Sequence, residues 1–138
     1  MKTKVLNIAI IEHDGNILMR KKPDESLPYK ETWYIFGGEV AEGKSPEEAT
    51  KEIVKQQSGI DIETNQNFGW RTEIKNDLDG EKKQFIYLDS LYDYVGGELM
   101  IGENQNIERL EWIPIDKLSE YDLVPPSIEI LKKSGYIK

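Results

Sequence analysis

The sequence predicts an α+β fold, with a sheet and helices packed in layers. Three observations carry this. β-branched and aromatic runs lie on both sides of one well-delimited helical segment at residues 46–58. A second, shorter helical pattern follows at residues 127–138. The length of 138 residues suits one adequate core and leaves little room for another, so a single domain over 1–138 is expected.

The elements follow in order. "VLNIAIIE", residues 5–12, is apolar and β-branched enough for a buried strand. "HDGN", residues 13–16, holds an Asp-Gly pair and reads as a hairpin turn, with "ILMRK" from Ile17 as the return strand. "KPDESLPYKET", residues 22–32, is a polar loop with two prolines. "WYIF", residues 33–36, is a short strand ending at Gly37 and Gly38. The helix comes next. Ser45 is placed to cap it, Pro46 takes the first helical position, and Glu48 stands three residues after the cap as in a capping box. Ala49, Ile53 and Val54 form its apolar stripe, and Gly59 ends it.

Strands then resume. "NFGWRTEI", residues 67–74, and "QFIYLDSLYDYV", residues 84–95, flank a turn at "NDLDGEKK". "RLEWIPI", residues 109–115, is a further strand, and "IDKLSEYDL" holds a short helical turn. Pro125 and Pro126 precede the small last helix, which Ile128 and Leu131 suggest. Internal repeats, low-complexity segments and linkers are absent.

Composition narrows the function. Hydrophobic residues make up 38% and charged residues 32%, the profile of a globular protein. With 26 acidic against 18 basic residues, the net charge of −8 disfavours nucleic acid and anionic membranes as partners. A small phosphorylated ligand would need a metal or a local basic cluster. There is no cysteine, so disulfides and thiolate metal sites are excluded. The single histidine, His13, sits in the hairpin turn, which excludes a multi-histidine metal site. The apolar run in "MKTKVLNIAIIE" is too short for a signal peptide or membrane span, so a cytoplasmic location is the default expectation.

The stretch "KEIVKQQSGI", residues 51–60, carries the chemical question. Ile53, Gln56 and Gln57 stand at i, i+3 and i+4 and share one helix face. None of them is charged. Over "GGEVAEGKSPEEATKEIVKQQSGI", residues 37–60, the sequence resembles the Nudix (MutT-type) family, whose signature is G-x5-E-x7-R-E-U-x-E-E-x-G-U with U a bulky aliphatic residue. Anchoring the first glycine on Gly38 brings Val54, Gly59 and Ile60 into register without gaps. Flanking segments are also family-like, and the resemblance runs over roughly residues 5–131.

The resemblance implies a mixed sheet sandwiched between helices. It also implies hydrolysis of nucleoside diphosphate derivatives, with Mg²⁺ or Mn²⁺ polarising the phosphates and activating water. Yet the charged signature positions differ here. The first glutamate falls on Lys44, the arginine on Glu52, and the following glutamate on Ile53; the glutamate pair falls on Gln56 and Gln57. Magnesium takes hard oxygen ligands, usually carboxylates. Ile53 offers no donor, and the two amides carry no charge.

The expected function is therefore binding of a nucleotide-like or phosphorylated small molecule, with metal-dependent hydrolysis lost or weakened. The alternative is an active hydrolase with a rearranged acidic metal site. A one-residue slip would put Glu52 at the metal-binding glutamate, and Glu48 with Glu52 forms an i, i+4 acidic pair that otherwise reads as a solvated helix face. Glu108 lies where family members often place a metal-binding or water-activating acid; Glu98, Glu103 and Glu111 share that ambiguity. Mg²⁺ or Mn²⁺ would be needed under the alternative, and no cofactor otherwise. Arg20, Lys21 and Lys22 follow the second strand, close to where members of the resembled family bind phosphate, and Gly37, Gly38 and Arg71 are further ligand-binding candidates. Trp70, beside Arg71, is the aromatic candidate for stacking on a flat ligand, ahead of Trp33, Phe68 and Tyr29. The family is often dimeric, so a homodimer stays open.

Overall fold

The computed structural model describes residues 1–23 and 29–138. Part of the loop expected at 22–32 therefore lies outside the described residues. The strands are β1 (Lys2–His13), β2 (Asn16–Lys21), β3 (Trp33–Tyr34), β4 (Phe36–Glu39), β5 (Ile60–Asn76), β6 (Lys82–Gly97) and β7 (Arg109–Pro114). The helices are α1 (Pro46–Ser58) and α2 (Pro125–Lys133), with a 3-10 turn at Ile115–Glu120.

β1 organises the sheet. Along one edge it runs parallel to β6, from Lys2 opposite Lys83 to Glu12 opposite Asp93. Its other edge is shared. Leu6 to Ala9 pair antiparallel with β4, and Glu12 and His13 pair with β2 through the hairpin. The turn places Asp14 and Gly15 both at positive φ, 49° and 77°, as the Asp-Gly pair requires. β2 then diverges to pair with β3 and β7, while β5 pairs antiparallel with β6. The sheet is mixed, with β1 and β6 the parallel pair among the strands described. Because β1 is shared between two partners, the sheet opens between β4 and β2.

Alternation along β1 sends side chains to two cores. Ala9 and Ile11 join Leu18, Phe36, Val54 and Ile62 beneath α1. Ile10 joins Ile17, Met19, Trp33, Ile113 and Leu131 beneath α2. The sheet is thus sandwiched between the two helices.

α1 begins and ends where its caps indicate. Ser45 accepts a hydrogen bond from the Glu48 N–H, and Gly59 adopts the left-handed conformation at φ 76°. The Asn7 side-chain amide, from the middle of β1, donates to the Pro46 carbonyl and to Thr50 Oγ1, fixing the helix on the sheet. The last carbonyls of α1 find partners in the loop after β6: the Met100 N–H donates to Ser58 O at 2.9 Å and the Gly102 N–H to Gln57 O at 3.2 Å.

Four expectations need correction. The strand expected at 33–36 is two strands broken at Ile35, and the double glycine lies inside the second of them. The break has a cause: the Ile35 N–H donates to Ser127 Oγ at 3.1 Å and its carbonyl accepts from Arg20, so neither joins a ladder. The stripe of α1 is also different. Ala49 and Val54 are buried, but Ile53 is only half-buried, and Thr50 and Ser58 complete the inner face. Their hydroxyls are satisfied within the helix, by Pro46 O and Val54 O respectively. β5 and β6 are longer than expected, β5 starting directly after Gly59. Finally, Pro125 and Pro126 form the first turn of α2 rather than preceding it.

Candidate functional site

The double glycine lets α1 and β1 close on β4. A methyl group on Gly37 would lie 2.6 Å from the Asn7 carbonyl oxygen, and one on Gly38 would lie 2.6 Å from Ile53 Cδ1. Ile53 therefore rests on the backbone of β4. One turn further along α1, Gln57 meets Arg20 of β2.

Arg20 is buried, with 6% of its surface exposed. Its guanidinium lies 4.0 Å from the centre of the Tyr34 ring and 4.7 Å from that of Phe36. Nη1 donates to Gln57 Oε1 at 2.6 Å and Nη2 to the Ile35 carbonyl at 2.7 Å. Nε is buried and has no hydrogen-bond partner among the described residues. Burial lowers the Arg20 pKa to about 10, with Tyr34 opposing the shift, so the group stays charged at neutral pH.

Arg20 opens on a cleft of about 690 Å³. Leu6, Ile8 and Ile35 give it apolar walls, with Gly37 and Gly38 beside them, and Pro125, Pro126 and Ser127 bring the start of α2 to its rim. The opposite wall comes from β5 and β6. Arg71 binds the buried Asp89 through two bonds, Nε to Oδ2 at 2.7 Å and Nη2 to Oδ1 at 2.9 Å, and faces Glu129 at 3.6 Å. The bond to Asp89 raises the Arg71 pKa. Lys75 pairs with Glu73 at 2.9 Å. Both cations lie over Tyr87, and Lys75 also lies over Phe85. Lys22, Tyr29 and Tyr34 line the same cleft. Its basic residues thus outnumber Glu73 and Glu129, on a chain of net charge −8.

The sequence candidates divide. Arg20, Gly37, Gly38 and Arg71 come together on this cleft. Trp70 does not. Adjacent residues of a strand face opposite ways, so Trp70 points away from Arg71, and it is 70% exposed. Trp33 is a core residue and Phe68 packs against that core. Glu48 and Glu52 are exposed on the outer side of α1, and Glu52 is ion-paired with Lys44. Glu108 is exposed and pairs with Lys21 at 3.2 Å. None of these three acids lines the cleft. Missed from the sequence were Tyr34, Lys75, Tyr87 and the supporting Asp89. The i, i+2, i+4 spacing of Arg71, Glu73 and Lys75 on one strand face was the available signal for Lys75.

The donor set does not fit a divalent metal. Of the three helix slots, Ile53 has no ligand atom, Gln56 is an exposed amide, and the Gln57 oxygen is bound to a guanidinium. Among the described residues, no three of His, Cys, Asp and Glu cluster as a metal would require.

A profile of the NUDIX domain matches residues 1–133. The chain belongs to the Nudix family. Members of this family generally use a divalent metal such as Mg²⁺. Among its relatives is the nucleoside triphosphatase NudI of Escherichia coli, 23% identical over 99% of this chain and 100% of NudI. Two solved structures share the Nudix fold. A NUDIX hydrolase from Nitrosomonas europaea matches with a TM-score of 0.76 and 16% identity, over 96% of this chain and 88% of the other. A MutT NUDIX hydrolase from Burkholderia pseudomallei gives 0.72 and 23%, over 96% and 98%. Among the described residues, no helix is long and apolar enough to cross a membrane.

Proposed function

We propose that this Nudix protein acts as a single domain that binds a nucleotide-like or otherwise phosphorylated small molecule in the cleft between Arg20 and Arg71, with metal-dependent hydrolysis lost or weakened. The observation that carries the reading is a basic, aromatic-lined cleft beside a helix face that offers no carboxylate to a metal. An excess of positive charge inside an acidic protein concentrates anions locally. Tyr29, Tyr34 and Tyr87 give flat surfaces for a base or other ring, and the cleft volume of about 690 Å³ is ample for a nucleotide. The proposed loss or weakening of hydrolysis is supported by Ile53, whose side chain lies on Gly38 where the family signature places a glutamate.

No cluster of acids among the described residues supports the alternative of a rearranged acidic site. Glu48, Glu52 and Glu108 lie outside the cleft, and the latter two are ion-paired.

The test is a panel of nucleoside triphosphates and nucleoside diphosphate derivatives, incubated with Mg²⁺ or Mn²⁺, with products and binding both followed. Binding with little or no turnover is expected. Metal-dependent turnover that disappears in Glu52→Gln or Glu48→Gln would establish the rearranged site instead.

A further inference from the structure

Arg20 is held differently from Arg71 and Lys75, two other cations of the cleft. Arg71 has the Asp89 carboxylate, and Lys75 has Glu73. Arg20 has only neutral acceptors, the Gln57 amide oxygen and the Ile35 carbonyl, and no ion pair among the described residues. A buried charge without a counter-ion is costly. It is 6% exposed, its Nε lacks a partner, and it borders the cleft. An anion in that cleft would supply the missing compensation.

The neutrality of residue 57 is what leaves this charge available. A carboxylate at that position would form a bidentate or single ion pair with Arg20 and quench it. The amide fixes the guanidinium in place, through a 2.6 Å bond, without cancelling its charge. Where the family has carboxylate plus metal, this chain has amide plus guanidinium. Both arrangements present a positive centre to a phosphate, and only the first needs a metal.

We infer that Arg20, pinned by Gln57 at a metal-ligand position of the helix, is a resident cation that replaces the divalent metal, so that the cleft takes a diphosphate-bearing ligand in the absence of metal. This rests on the ligand-binding reading above and adds to it the independence from metal. Magnesium then competes with Arg20 for the same phosphate oxygens instead of bridging them to the protein.

The experiment is calorimetric titration of inorganic pyrophosphate and of ADP into the intact protein, once in EDTA and once in excess Mg²⁺. Binding in EDTA is expected, with equal or weaker binding in Mg²⁺. Gln57→Glu, which preserves side-chain size, should weaken binding in EDTA about ten-fold by pairing with Arg20. Arg20→Gln should weaken it further. Thermal melts identify any variant that does not fold, and the near-isosteric Gln57→Glu keeps the test intact if Arg20→Gln fails. Binding of ADP only in Mg²⁺ would overturn the metal replacement while leaving the ligand reading in place. So would unchanged affinity of Gln57→Glu in EDTA. Binding of neither probe in either buffer would overturn both.

Discussion

Ile53 Cδ1 lies against the backbone of Gly38, close enough that a methyl group on that glycine would meet it at 2.6 Å. The neighbouring Gly37 is equally tight, but against the Asn7 carbonyl oxygen of the central strand. The two clashes differ in what has to give. Ile53 Cδ1 is the end of a flexible, half-buried side chain, whereas Asn7 O belongs to a paired backbone. Gly38→Ala should therefore cost about 1 kcal/mol and Gly37→Ala about 3 kcal/mol. Truncating Ile53→Ala in the Gly38→Ala background should recover most of the smaller loss, a coupling that urea unfolding of the double-mutant cycle reads directly. Additive effects would mean that the two residues do not press on one another.

Restoring carboxylates tests whether the scaffold is otherwise intact. The triple variant Ile53→Glu, Gln56→Glu and Gln57→Glu should bind Mg²⁺ measurably. At ten times the dissociation constant, the ion would raise unfolding stability by about 1.4 kcal/mol. Arg20 adds a second expectation. Its guanidinium would pair with the carboxylate introduced at position 57, so adding Arg20→Gln should strengthen Mg²⁺ binding. A folded triple variant whose melting temperature ignores Mg²⁺, with or without Arg20→Gln, would show that more than the ligands has changed.

Local signals carried the fold well. Ser45, Pro46 and Gly59 placed α1 to the residue, and the Asp14-Gly15 pair placed the first hairpin. These are decided by a few neighbouring backbone angles, which the sequence encodes directly. The break at Ile35 was not legible, because its cause is tertiary: the partners of its backbone are Arg20 and Ser127, 15 and 92 residues away. The site divides the same way. That residues 53, 56 and 57 share a helix face and carry no charge was plain from the sequence, and the resemblance to the Nudix signature is what marked them as carboxylate positions. That Gln57 would meet Arg20, 37 residues apart, required β2 to diverge from β1. Trp70 falls outside the cleft for a simpler reason. Strand alternation separates it from Arg71, although register shifts at Thr64/Gln66 and Asn67/Gly69 make the phase of β5 hard to count from its beginning.

Arg71 and Trp70 should consequently behave as opposites. Asp89 has a fully buried carboxylate whose other cation, Lys133, stands 3.5 Å away. Arg71→Ala would leave that carboxylate largely uncompensated and should cost about 3 kcal/mol. Asp89→Asn, which keeps two acceptor or donor atoms in place, should cost less. Trp70→Ala should change stability by less than about 0.5 kcal/mol, as exposed sites usually do, and should leave ligand affinity unchanged. Chemical denaturation and calorimetry check both. A ten-fold loss of affinity in Trp70→Ala would return that residue to the site.

The far end of the sheet sets the response to acid. Asp77, just after β5, accepts from Lys4 of β1 at 2.7 Å, from Lys83 of β6 at 2.9 Å and from the Leu78 N–H at 2.8 Å. These bonds hold its carboxyl well below the usual range, the Lys4 bond contributing most. Asp79 is lowered in the same way by Lys83. The direction fixes the sign. In the unfolded chain Asp77 takes up its proton near pH 4, while in the fold it stays ionised to lower pH. Its stabilising contribution is therefore complete above about pH 4 and is lost as the pH falls through the depressed folded value. Lys83, raised by the same two aspartates, contributes below the ordinary lysine range and loses its contribution only under strongly alkaline conditions. Thermal melts from about pH 6 to pH 2 should thus show a shallower decline for Asp77→Asn than for the unmodified protein, because one of the protons taken up on unfolding is removed. The curves should run parallel above about pH 5, where neither state titrates this group. If they also run parallel through the acid limb, Asp77 is not one of the groups that drives acid unfolding, and the three-strand tie does not contribute as its geometry indicates.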